Sequence, residues 1–386
     1  LAEAGGPLSD AIVVISDLVE AQLSFSVQTP PAHPQAPARK TDSSCAVTGG
    51  YLERLPLAAV RAGLANFVEI WHHHQACGIA TQRDNDLLTR RAFPVDSEAP
   101  FHSEAMLQFI AEYGAPRILC IWGLGVSERI LDACAASTIV YNSIDVPPLR
   151  VPPEVSRHFD LVLTGAQWQS DDVRQRHPTM PTAILPIGPE FASPQTFFPI
   201  ADAPKFFDVA YVAAAQPYKE HDMLFAALAR SPRPLRTLCV MGYGEDGDRL
   251  RQHAAEQGLD VVFVGPPGVS HAEVNILMNQ ARVGVVCGAN DGAPAILTEY
   301  MLAGLPVVAN ANLRCGLQYI LPQTGIVAPP EQFEIAILEA LARTDFSPRQ
   351  TVIDLWAWPH SIGKLADLMG NPKAALNPTH AQPEFV

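Results

Sequence analysis

Residues 291–310 read DGAPAILTEYMLAGLPVVAN, and three devices follow one another in that stretch. A small-residue turn headed by Asp291 comes first. Ile296, Tyr300 and Ala303 then recur at helical spacing, so a helix is expected over 295–303. Gly304 is a stop signal of the left-handed kind, and Leu305 to Ala309 suit a short buried strand. Turn, helix and apolar strand in this order are the repeating unit of an α/β fold. A glycine-containing turn that feeds a helix leaves backbone N–H groups without helical partners, which suits an anionic ligand such as a phosphate. Asp291 and Glu299 lie eight apart, one acid ahead of the helix and the other inside it.

The alternation extends in both directions. In the second half, strands are expected at 209–213, 237–241, 261–264, 283–287, 305–309 and 325–328, with helices between them and a last one at 333–342. In the first half, helices are expected at 55–64, 102–113 and 126–135, with strands at 67–71, 118–122, 138–141, 161–164 and 183–185. Near the start, Ile12, Ile15, Leu18 and Val19 recur at helical spacing after a Gly5-Gly6-Pro7 turn. A helix is therefore expected over 9–22 and a strand over 24–29. A glycine turn that opens a helix normally follows a strand, so the first strand of this domain is expected ahead of Leu1. Residues 30–45, PPAHPQAPARKTDSSC, read as a mobile proline-rich loop, and 186–204 as a linker. Residues 351–369 form an amphipathic tail with Leu355, Trp356 and Trp358 as packing anchors. The fold class is α/β: two doubly wound parallel-sheet domains over 1–200 and 201–345, and a helical tail over 346–386 crossing back to the first.

Composition narrows the function classes. A chain of 386 residues is long enough for two domains, and 48% hydrophobic against 17% charged residues gives it a large core. Lysine and arginine total 26 against 40 acids, a net charge of −14, so no basic face is expected for a nucleic-acid backbone. The clearest basic run, 83–91, also contains two aspartates. Apolar runs fall short of a membrane span. The seven cysteines form no CxxC pair, and Cys120, Cys239 and Cys287 sit in apolar strands; reduced thiols and a cytoplasmic location are expected.

Four motifs of the second half occur in a fixed order: YVAAAQPYKEHDMLFAAL at 211–228, LCVMGYGEDGDRL at 238–250, VVFVGPP at 261–267, and the opening stretch with its acid-x7-Glu pattern followed by Ala303, Gly304, Pro306, Val307, Val308 and Ala309. In this order they resemble the nucleotide-sugar domain of retaining glycosyltransferases of the GT-B fold, family 4. The first half resembles that family more loosely. GGPLSDAIVVISDLVE is similar to its glycine loop and first helix, with Gly5 and Gly6 in the loop, and ILPIGPEFASPQTFFP at 184–199 is similar to its hinge passage. The resemblance implies two Rossmann-like domains facing each other across a cleft, with a C-terminal helix packing back on the first.

It also implies roles. Lys219 would neutralise the donor diphosphate, Glu299 would grip the ribose hydroxyls, and Asp291, standing where the family has glutamate, would reach the sugar one methylene short. Gly292, Ala293, Ala295, Ile296 and Leu297 would present the turn and helix start to the phosphates. Gly242, Gly244, Gly265 and Pro266 would lie near the base. The family's arginine five residues before its lysine is Ala214 here. Its first-domain histidine is absent from VYNSIDVPP at 140–148, where Asn142 or Asp145 could contribute. GLGVSE at 123–128 reads as a plain βα turn or as a contact to acceptor or phosphate. The triplet His72-His73-His74 follows a strand; adjacent side chains alternate faces there, so the three cannot easily share one metal, and a surface patch or acceptor contact is expected instead.

The activity implied is metal-independent transfer of a hexosyl group from a UDP- or GDP-sugar to an acceptor hydroxyl with retention, in bacterial polysaccharide or glycoconjugate biosynthesis. No cofactor, nucleic acid or transmembrane span is expected. The acceptor could be a glycan, a lipid-linked glycan, a small molecule or a protein. Two alternatives stand beside it: an epimerase or phosphorylase on the same fold, and a degenerate sugar-nucleotide-binding scaffold.

Overall fold

A computed structural model describes residues 7–21, 32–34 and 46–370. The chain divides into two compact units, one of Leu1–Ile187 with Ser361–Val386, the other of Gly188–His360.

The first unit is built on an eight-stranded sheet of β1 (Ala11–Glu20), β2 (Phe67–His74), β3 (Ala80–Arg83), β4 (Leu88–Pro94), β5 (Ile118–Trp122), β6 (Thr138–Asn142), β7 (Leu161–Thr164) and β8 (Thr182–Ile184). Their order is β3-β4-β2-β1-β5-β6-β7-β8, parallel throughout except for β3 against β4. β1 corrects the reading of 9–22 as a helix. Ala11 to Ile15 are buried without break, and β1 pairs in parallel with β2 on one side and β5 on the other. A central parallel strand is covered on both faces and so reads as a continuous β-branched run. The helical spacing of Ile12, Ile15, Leu18 and Val19 was a coincidence: the first two belong to that run, while Leu18 lies beyond it and is 49% exposed. β1 also fills the place of the strand expected ahead of Leu1. The strand expected at 24–29 and most of the proline-rich loop lie outside the described residues.

The hairpin of β3 and β4 was not expected, because its residues are polar. Charge pairing explains them. Arg91 on β4 makes two bonds to the Glu69 carboxylate on β2, at 2.6 and 2.8 Å, with both side chains almost wholly buried. Trp71 Nε1 donates to the same carboxylate at 2.8 Å. The basic run is thus partly core.

The second unit holds six parallel strands: β9 (Phe207–Val212), β10 (Thr237–Val240), β11 (Val261–Val264), β12 (Ala281–Val286), β13 (Val307–Asn310) and β14 (Gly325–Ala328), in the order β11-β10-β9-β12-β13-β14. Successive residues serve opposite faces. Val307 and Ala309 join one core cluster and Val308 the other; Ala210 and Tyr211 divide in the same way. The strand order reverses between β9 and β12, the place where open α/β sheets bind ligands. Among the described residues the tail holds two helices, 348–355 and 358–370, the second of which passes into the first unit at Ser361. Trp358 is buried and Trp356 packs edge-on against Tyr319, but Leu355, expected as an anchor, is 45% exposed.

Candidate functional site

The opening stretch folds as a turn, a helix at Ile296–Leu302 and strand β13. Gly304 takes the left-handed conformation at φ +88°, where its N–H and that of Leu305 close the last helical turn. Tyr300 fastens this helix to the sheet. Its hydroxyl donates to Ala210 O at 3.1 Å and accepts the Val212 N–H at 2.6 Å, both on β9. The ring occupies space that a side chain at residue 284 would fill: a Cβ on Gly284 of β12 would lie 2.5 Å from it. A glycine within a strand thus allows the tyrosine its seat.

Beyond the carboxyl end of β9 the chain makes a short 3₁₀ turn, Pro217–Lys219. Three contacts fix its position. The Tyr211 hydroxyl donates to the Lys219 carbonyl. The Glu220 carboxylate accepts the Ala289 N–H at 3.2 Å. Gly288, after β12, lies so close that a Cβ would meet Tyr218 O at 2.4 Å. Lys219 is thereby carried to the head of the opening stretch, where its ammonium group pairs with Asp291 Oδ2. The other oxygen of Asp291 accepts the Ala293 N–H at 3.3 Å, closing the turn in the manner typical of aspartate. Lys219, Asp291, Ile296, Gly288 and Tyr211 line one hollow with the backbone at the end of β9. With Lys219 and Asp291 paired across it the hollow is small, with room for about one water molecule.

The remaining residues singled out in the sequence are placed as follows. Glu299 is half-buried in the first turn of the helix, and Leu297 is wholly buried in the core beneath it. Gly292 and Ala295 are buried in the turn. Gly242, Gly244, Gly265 and Pro266 form neighbouring loops after β10 and β11 and do not line the hollow. Close approach explains two of these glycines: a Cβ on Gly244 would meet Ala215 O at 2.2 Å, and one on Gly265 would meet Met241 O at 2.1 Å. Ala214 is buried. Tyr211, Gly288, Glu220 and Tyr300 were missed. The CGAN sequence after a strand was the one available signal for Gly288; the others depend on pairings between distant segments.

In the first unit, Gly5 and Gly6 lie outside the described residues. The histidine triplet is the last part of β2 and is buried, which corrects the surface-patch reading. His72 Nδ1 shares a 2.8 Å hydrogen bond with Ser16 Oγ, and His74 Nε2 bonds the Gly78 carbonyl at 2.9 Å. His73 packs on Phe101, and neither ring nitrogen has a partner among the described residues. Burial, with neighbouring Arg90 for His72 and neighbouring imidazoles for His73, pushes both down to about 4. Both are neutral at pH 7. Asn142 ends β6 buried, and Asp145 pairs with Arg150 at 3.0 Å. Asp17, also missed, lies against Gly123 of the glycine turn, where a Cβ would fall 2.0 Å from its carboxylate. Burial first, then the neighbouring Asp145, raises its pKa from the ordinary aspartate value.

Comparison with known proteins adds the following. Residues 194–345 match the family described as glycosyl transferases group 1. No curated protein sequence matches the chain. Among solved structures, a sucrose-phosphate synthase from Thermosynechococcus elongatus is similar at 20% identity with a TM-score of 0.64, over 95% of this chain and 100% of that one. Anabaena HepE in complex with UDP and glucose is similar at 13% identity with a TM-score of 0.62, over 93% and 99%. The E. coli trehalose-6-phosphate structure bound with UDP-2-fluoro glucose is similar at 12% with 0.60, over 93% and 98%. At such identities the likeness is one of fold, and it spans both units.

Proposed function

We propose, from the match of residues 194–345 to the glycosyl transferases group 1 family, that the chain transfers a hexosyl group from a nucleoside-diphosphate donor, a UDP- or GDP-sugar, to an acceptor hydroxyl with retention of anomeric configuration. One observation carries the reading. Within the matched domain, Lys219 and Asp291 come from segments far apart in sequence and meet at one hollow at the point where the strand order reverses.

The chemistry follows from charge. As the glycosidic bond breaks, its electron pair goes to the diphosphate, whose charge grows in the transition state. A fixed cation and backbone N–H donors lower the barrier when they interact more strongly with that state than with the bound donor. Lys219 supplies the cation, and the turn and helix start at 292–296, except Pro294, which has no N–H, are the proposed source of donors. The acceptor hydroxyl attacks from the side the diphosphate leaves, and its proton passes to the departing phosphate oxygen. Glu299 receives the ribose hydroxyls. Divalent metal has no step in this scheme, so a chelator is expected to leave the rate unchanged. Bacterial glycoconjugate synthesis is the setting that fits such a reaction.

The test uses a panel of UDP-, GDP- and ADP-sugars, measuring binding by calorimetry and release of nucleoside diphosphate with and without acceptors. Binding with release, and an anomeric product of retained configuration, is expected. Protein that binds no sugar nucleotide at millimolar concentration would sink the reading. A second reading, a binding subunit without turnover, is favoured by Ala214 and by the pairing of Lys219 with an acid. Tight binding without release against every acceptor would select it.

A further inference from the structure

We infer that Asp291 is an internal counter-ion on Lys219, and that a donor diphosphate binds by displacing it; the inference rests on the donor reading above. The geometry of the hollow carries it. Lys219 is the cation expected to meet the leaving group, yet its ammonium is already taken by Asp291, with the two side chains 18% and 12% exposed. At that depth solvent screens the pair less than a surface pair.

The backbone under Lys219 does not give way easily. The Tyr211 hydroxyl holds its carbonyl, Glu220 holds the Ala289 N–H, and Gly288 packs directly beneath it. The part able to move is the Asp291 side chain, which is tied by the ammonium and by one 3.3 Å bond from the Ala293 N–H. A glutamate would have one more methylene with which to reach past the lysine; the short aspartate is held to it. Ala214 provides no second cation where an arginine would have served. An incoming diphosphate therefore meets one cation already neutralised, with Glu299 adding a further acid on the adjoining helix. Only a ligand that offers the lysine more negative charge than one carboxylate gains by the exchange. Asp291 thus selects for diphosphate and against less highly charged anions, and once displaced it is free to turn toward the sugar.

Asp291→Asn separates the charge from the turn, because its amide oxygen still accepts the Ala293 N–H. Asp291→Ser is a second neutral variant whose hydroxyl can do the same, should the first fold poorly. Titration of UDP, GDP and ADP into each variant is expected to show binding about tenfold tighter than wild type for the base that the protein prefers, because a like charge beside the phosphate has gone. The parent nucleoside, which has no phosphate, is expected to bind unchanged. In crystals of wild-type protein with that diphosphate, a phosphate oxygen should sit on Lys219 with Asp291 turned away. Unchanged or weaker diphosphate binding in both variants, or a bound structure that keeps the pair intact, overturns the inference while the donor reading stands. If neither wild type nor variant binds any nucleoside diphosphate, the donor reading falls and takes the inference with it.

Discussion

Lys219 pairs with Asp291, and on the proposed reading it has a second task, to meet the donor phosphate. Lys219→Met removes both. The variant leaves Asp291 facing the ligand without a partner, so nucleoside-diphosphate affinity is expected to fall by about 10- to 100-fold, the range of a charge-assisted hydrogen bond. Calorimetric titration against wild type reads this directly. A loss of less than threefold would show that the lysine does not touch the phosphates. At this scale the sequence was informative about identity and silent about pairing. Lys219, Asp291 and Glu299 stood out through motif order, but 72 residues separate the lysine from the acid that it binds. No periodicity connects them; the parallel pairing of β9 with β12 does.

Elements are where reading and structure parted most clearly. The strands β5, β7, β11 and β14 coincide residue for residue with their expected ranges, because short apolar runs between turn signals leave little choice. β1 was misread because a buried central strand has no alternation to display, and four of its apolar residues fell by chance at helical spacing. The β3–β4 hairpin was overlooked because its charges are satisfied by partners that the sequence does not reveal. Arg91→Met tests that explanation. It strands Glu69 in the core without its cation, so a loss of about 3–5 kcal/mol is expected in denaturant unfolding of the first unit. A loss below about 1 kcal/mol would mean that water reaches the carboxylate. Docking of the helix at Ile296–Leu302 is tested by Tyr300→Phe. The change leaves the Val212 N–H without its acceptor and is expected to cost about 1–3 kcal/mol, with weaker donor binding because this helix carries Glu299. Equal donor affinity at reduced stability would separate the dock from the site.

Acid response belongs to the whole molecule, since each unit holds buried imidazoles. His72 and His73 in the first and His221 in the second are all pushed down to about 4 from 6.5, chiefly by burial. Below pH 6.5 the unfolded chain takes up protons that the folded chain refuses, so it binds more of them and gains on the folded state. Stability is therefore full above about pH 6.5 and is expected to decline as pH falls toward 4, with the loss complete only below the folded values. Urea midpoints at pH 7.5, 6, 5 and 4 measure the slope. His73→Leu should flatten it, because that ring has no hydrogen-bond partner to lose among the described residues. A midpoint independent of pH across this window would mean that water enters beside the rings.

The path of the last helix has a consequence for how the chain is made. Residues of the first unit lie on both sides of the second in sequence, at Leu1–Ile187 and again from Ser361. The second unit is therefore a guest inserted into a host. As the chain leaves the ribosome, the guest has all its residues available before the host does, and the host waits for its closing helix. Residues 188–360 are accordingly expected to fold when expressed alone, whereas 1–187 alone should lack part of its own packing and recover it when the helix from Ser361 to Gly370 is supplied. A soluble guest and a needy host, seen by heteronuclear NMR of the two pieces, would trace the order in which this molecule assembles.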